Sequence, residues 1–148
     1  MRLPLRVASA VREAFPDQKP VFVRITATDW VEGGITIDEA TTFAKELAAV
    51  GIDLLDVTSG VLVRDLAARP PEREGVNVEF ANTLKKASGL AVAPVGQIAD
   101  LSLAGKVLAS GHVDAVLLGR ALLRDPYFAL RNRSSDPTAW PTQYHRAL

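Results

Sequence analysis

The chain has 148 residues, 17 basic and 17 acidic side chains, and no cysteine. That length makes one domain with a real core, and a net charge of zero without any basic run argues against a nucleic-acid or membrane-surface partner. Absence of cysteine excludes disulfides, thiolate metal sites and a cysteine nucleophile and makes the cytoplasm the default setting; no apolar run approaches the ~20 residues of a membrane span.

At the amino terminus, Met1 to Leu5 lacks the apolar core of a signal peptide. Leu5, Val7, Ala8, Val11, Ala14 and Phe15 follow helical spacing, and Pro16 stops that helix. Val21-Phe22-Val23-Arg24-Ile25 is a β-rich run bounded by Pro20 and the polar Thr26 to Asp29. Thr36 or Asp38 can cap a helix from about Glu39 to Val50 with Ala40, Phe43, Ala44 and Leu47 inward, and Gly51 closes it. Ile52 to Val57 is a second strand, ending in Thr58-Ser59-Gly60. After a long charged loop, Val78 to Ala87 is a helix, ended by Gly89. Leu90 to Val95 is a third strand, closed by Gly96-Gln97, and Leu101 to Ala109 is the next helix. His112 and His145 are too few and too far apart for a metal centre, and His112 reads as structural.

From Asp114 to Pro126 the sequence concentrates its most informative residues. Four apolar residues, Ala115 to Leu118, read as a strand covered on both faces, which turns at Gly119-Arg120 into a short helix. Gly119 lets a backbone turn and a ligand approach. Arg120 sits at the carboxyl end of the strand, where α/β folds place ligands. Amides at a helix start together with a guanidinium suit a phosphate. Beyond Pro126 the chain is polar, with Pro137 and Pro141, and reads as an irregular tail.

Strands beginning near residues 21, 52, 90 and 114, joined by helices, must be parallel with right-handed crossovers. Periodicity leaves two closures open. One is a small open doubly wound sheet; the other is four consecutive units of a (β/α)8 barrel, which needs ~250 residues when whole.

Four segments carry a resemblance: Val21 to Ala27, Ile52 to Gly60, Pro94 to Ile98 and Leu118 to Pro126. In order and spacing they resemble the last four strands of the Old Yellow Enzyme family, and Pro141 to Arg146 is similar to the tail of its bacterial xenobiotic-reductase-like class. The resemblance implies an α/β fold of four consecutive βα units of a TIM (β/α)8 barrel, a half-barrel over residues 1–130 with a tail over 131–148. It implies FMN as cofactor, NADH or NADPH as reductant and an activated alkene as acceptor. Arg24 matches the arginine facing the flavin pyrimidine, Gly119 and Arg120 match the phosphate grip, and Gly96 and Gln97 match the preceding strand's share of it. Ser59 and Gly60 match the rim near substrate or nicotinamide, and Arg146 matches a tail arginine that reaches into a neighbouring subunit.

The family's first four strands, with the substrate-carbonyl donors and the proton-donor tyrosine, have no counterpart here. Tyr127 and Tyr144 match neither position, so the resemblance supplies no catalytic residue. Met1-Arg2 falls inside a stretch that opens the helix before the family's fifth strand, so the chain resembles the carboxyl-terminal half of a larger enzyme. The expectations are therefore these. Strand endings at Arg24, Ser59-Gly60, Gly96-Gln97 and Gly119-Arg120 should share one rim, with the strands at Val21 and Ala115 as edges. The chain should self-associate, hold FMN by its phosphate and turn over little by itself. A non-catalytic flavin- or phosphate-binding half-barrel needing a partner half is the alternative, and an open sheet with an unrelated phosphosugar activity is a third reading.

Overall fold

A computed structural model describes residues 1–60, 62–63, 70–131 and 140–147. Parts of the long charged loop (61 and 64–69) and of the tail (132–139 and 148) lie outside the described residues.

Helix α1 spans Arg2–Ala14. Its inward residues Leu5 and Ala8 pack on the core. Arg12 then fastens its end: the guanidinium donates to the carbonyls of Phe15, Pro16 and Lys19 at 2.9–3.1 Å and to Asp53 Oδ2 at 3.3 Å. Asp53 Oδ2 also accepts from the Val21 amide at 2.7 Å, so one ion pair sets the entry to two neighbouring strands. Strand β1 is Phe22–Thr26.

Helix α2, Ile37–Ala49, starts in a complete capping box: Thr36 Oγ1 accepts from the Glu39 amide while Glu39 reaches back to the Thr36 amide. Of the two capping residues the sequence allows, Thr36 is the one used. Strand β2 is Leu54–Thr58, α3 is Val78–Ser88, β3 is Ala91–Pro94 and α4 is Leu101–Ala109. Short helices α5, Arg120–Arg124, and α6, Phe128–Arg131, follow, and Thr142–Ala147 forms a 3-10 helix.

The sheet is parallel, in the order β1-β2-β3. Its register aligns Phe22 with Leu54 and Ala91, and Arg24 with Asp56 and Ala93. Because side chains alternate across a strand, Ile25, Leu55, Val57 and Val92 fall on one face and join Ala44, Leu47, Ala81 and Leu84 in a single apolar cluster. The opposite face carries Phe22, Arg24, Leu54 and Asp56, and Phe22 there is 59% exposed.

The expected strand Ala115–Leu118 is not a fourth ladder. Only one parallel bridge forms, Val95 with Leu117, through the Leu117 amide and the Pro94 carbonyl at 3.0 Å. The cause lies at its start, where the amides of both Asp114 and Ala115 use the Val92 carbonyl, at 3.0 and 3.3 Å. Two residues opposite one carbonyl shift the register and stop a regular ladder from starting. Asp114 still binds the segment in place, its carboxylate accepting from the Val92 amide and from Lys85 Nζ of α3.

Candidate functional site

A cavity of about 870 Å³ lies at the carboxyl ends of β2 and β3. Ser59 follows β2, Gly96 and Gln97 follow β3, and Gly119 with Arg120 begins the next wall. Three separate segments of sequence thus meet in one place because parallel strands all end on the same side. Glu72 and Glu74 line the same cavity, so the two cations on its wall have acidic company.

The second of those cations, Arg124, was not among the expected residues. It lies one helical turn beyond Arg120, and i, i+4 spacing puts both guanidinium stems on one side of α5. That spacing was legible in the sequence. Among the described residues neither arginine forms an ion pair.

Arg24 lies in an adjoining cavity of about 430 Å³ on the face of the sheet away from the apolar cluster, which also receives Asp56, Leu122 and Phe128. Val95, Leu117 and Gly119 line both cavities, so the two are contiguous. Arg24 is the third residue of β1 rather than its ending. Its Nε donates to Asp56 Oδ2 at 2.7 Å, with Arg24 64% and Asp56 17% exposed. Asp56 Oδ1 is buried and without a partner among the described residues. The pair fixes the stem of the guanidinium while its terminal nitrogens bond no described residue.

Ser59 is buried, and its hydroxyl donates to Asn77 Oδ1 at 2.7 Å. Gly60 lines neither cavity; its φ is +73°, and an added Cβ would stand 2.7 Å from Pro70. Arg146 lines neither cavity; it sits exposed on the terminal 3-10 helix. Asn77 escaped the sequence reading, because a polar residue before a helix ordinarily signals no more than a cap. Here its Nδ2 donates to the Val95 carbonyl at 2.6 Å, and it is 3% exposed.

A parallel sheet with helices between its strands, and a cavity lined by two arginines and two glutamates at the strand ends, define an α/β protein with its cleft where such folds place ligands. Residues 1–138 match the NADH:flavin oxidoreductase / NADH oxidase family, and the chain belongs to it. An NADPH dehydrogenase of Listeria monocytogenes is 34% identical over 143 residues, covering 95% of this chain and 41% of that protein. The NADPH dehydrogenase of Bacillus subtilis is 37% identical over 130 residues, covering 86% of this chain and 37% of that one. The chain therefore spans about two fifths of the length of these relatives. Among solved structures, a 2-naphthoyl-CoA reductase in complex with 2-naphthoyl-CoA aligns with a TM-score of 0.77 and 26% identity, over 88% of this chain and 20% of that one. Morphinone reductase in complex with tetrahydroNAD shares the fold, with a TM-score of 0.60 and 23% identity over 97% of this chain and 37% of that one. Both are barrel reductases, and the cofactor chemistry of the family is FMN with NADH or NADPH as reductant.

Proposed function

We propose that this chain is the phosphate-holding, carboxyl-terminal half of an FMN-dependent NAD(P)H oxidoreductase of the ene-reductase type, four βα units of a (β/α)8 barrel. The observation that carries the reading is the meeting of Gly96, Gln97, Gly119 and Arg120 in one cavity at the strand ends. The residues present suit one end of the cofactor. Arg120 offers a planar fork to a phosphate. Gly119 has nothing within 4 Å of where a Cβ would stand, so its place in both cavities is left open. Arg24, held at Nε by Asp56, keeps a fixed cation in the contiguous cavity, where it favours negative charge on a neighbouring ring.

When bound, FMN supplies the ring that passes hydride from NADH or NADPH to an activated alkene. Among the described residues neither cavity is lined by a tyrosine or a histidine, so little turnover is expected from this chain alone. A second reading is a non-catalytic flavin- or phosphate-binding half-barrel that needs a partner half. The exposed Phe22 beside Arg24, on a face that a complete barrel would enclose, favours that reading over an independent enzyme. In either case self-association is expected, with Arg146 in a subunit contact and the cytoplasm as the setting.

Titration of FMN and of riboflavin against the purified chain, followed by flavin fluorescence, tests the proposal. Loss of one charge-assisted contact is worth roughly 1.5–3 kcal/mol, so Arg120→Ala should weaken FMN about tenfold or more and leave riboflavin unchanged. FMN binding indifferent to Arg120→Ala would overturn the phosphate assignment. Rapid NADPH-dependent reduction of an enone by the chain alone would overturn the inactive-half assignment.

A further inference from the structure

Where β2 and β3 part company, one buried side chain joins them. The last backbone bond between the strand ends runs from the Val95 amide to the Val57 carbonyl, at 3.0 Å. Beyond it, Asn77 takes over: Oδ1 accepts from Ser59 at the end of β2, and Nδ2 donates to the Val95 carbonyl at the end of β3. Asn77 also stands at the N-cap position of α3, yet its side chain makes no cap bond to that helix. Its amide group is used entirely between the strands.

The consequence falls on the next peptide. In a trans peptide the carbonyl and the following N–H point to opposite sides. With the Val95 carbonyl held toward Asn77, the Gly96 N–H is turned the other way, toward Leu117 and the wall that carries Gly119 and Arg120. Gly96 then has φ +131° and Gln97 φ +51°, a pair of left-handed or strained conformations that need outside support. A Cβ on Gly96 would come within 2.9 Å of Asn77 Nδ2, so the turn is packed directly against this amide.

We infer that Asn77 is a positioning residue for the anion site: it fixes the Val95–Gly96 peptide and so shapes the wall that faces Arg120. This rests on the phosphate assignment made above. Asn77 lines the same cavity, but its side-chain amide is bonded to Ser59 and Val95, so it acts through the backbone of Gly96 and Gln97.

Two measurements on the full chain separate the inference from that assignment. The first needs no ligand: amide hydrogen exchange of Val95 and Leu117, read by NMR in Asn77→Leu, should quicken about tenfold while the β1 amides stay as in the native chain. Unchanged exchange at Val95 and Leu117 overturns the inference, even where FMN binds as proposed. The second is ligand-specific: Asn77→Leu should weaken FMN about tenfold but leave riboflavin within about twofold. Ser59→Ala, which leaves the bond to Val95 in place, should have a smaller effect on FMN. Equal losses for FMN and riboflavin in a folded variant mean general damage and overturn the positioning role. Should Asn77→Leu fail to fold, Asn77→Asp carries the exchange test, since it accepts from Ser59 but has no donor for Val95. A native chain that binds no FMN refutes the phosphate assignment and leaves the exchange result to decide the role of Asn77.

Discussion

Gly96 and Gly105 are both glycines, and the same substitution should move stability in opposite directions. At Gly96, φ is +131° and a Cβ would meet Asn77 Nδ2 at 2.9 Å and Val76 Cγ1 at 3.0 Å. Neither neighbour is a loose side-chain end: Asn77 is bonded on both sides and Val76 is buried. Gly96→Ala should cost about 1–3 kcal/mol. Gly105 lies in the interior of α4 with nothing within 4 Å of its Cβ position. Gly105→Ala should stabilise by about 0.4–1 kcal/mol, because it restricts the unfolded chain at no steric cost. Urea midpoints of the two variants, measured side by side, check both signs.

At the scale of elements, the local cap at Glu39 and the tertiary pin at Asp114 both weaken in acid. The capping box holds the start of α2, and Thr36→Ala should lower stability by about 1 kcal/mol, read as a fall in Tm. Donation from the Thr36 amide, and then from its hydroxyl, lowers the Glu39 pKa. Asp114 is also lowered, first by the hydrogen bond from Lys85, with the Val92 amide and the Lys85 charge adding to it and partial burial opposing. A carboxyl lowered on folding binds protons more readily in the unfolded chain. Its contribution is therefore complete above the unfolded value of about 4 and is lost as pH falls through the folded value. Asp114→Asn should be less stable than the native chain at pH 7, with the gap closing toward about pH 3. Denaturation at the two pH values measures that closing, and a constant gap would locate the effect in lost packing instead.

At the scale of the molecule, one face of the sheet is covered by helices, and the other, among the described residues, meets Leu122 and Phe128 but leaves Phe22 exposed. That exposed side chain and the place of β1 at an edge of the sheet are a combination that invites pairing. Leu3, Val7, Val11 and Phe15, four residues apart along α1 and its end, add an exposed apolar row. Sedimentation at micromolar concentration should find dimers or larger species, and Phe22→Lys should shift them toward monomer. A native chain that stays monomeric under those conditions would show that this second face does not drive association.

Much of this architecture was legible in the sequence because its signals are local. The helices of α2, α3 and α4 fall within about two residues of their expected bounds, set by caps and apolar spacing within one turn of each end. Three parallel strands, and the convergence of Gly96-Gln97 with Gly119-Arg120, follow from strand–helix alternation, which forces all strand ends to one side. The sequence by itself could not tell that Ala115 to Leu118 forms one bridge rather than a ladder. Apolar composition reports burial, whereas register depends on which carbonyl two successive amides share. Nor could it pair Arg24 with Asp56, 32 residues away, or find in Asn77 the tie between two strand ends. Those contacts join residues distant in sequence, so only the tertiary structure decided them.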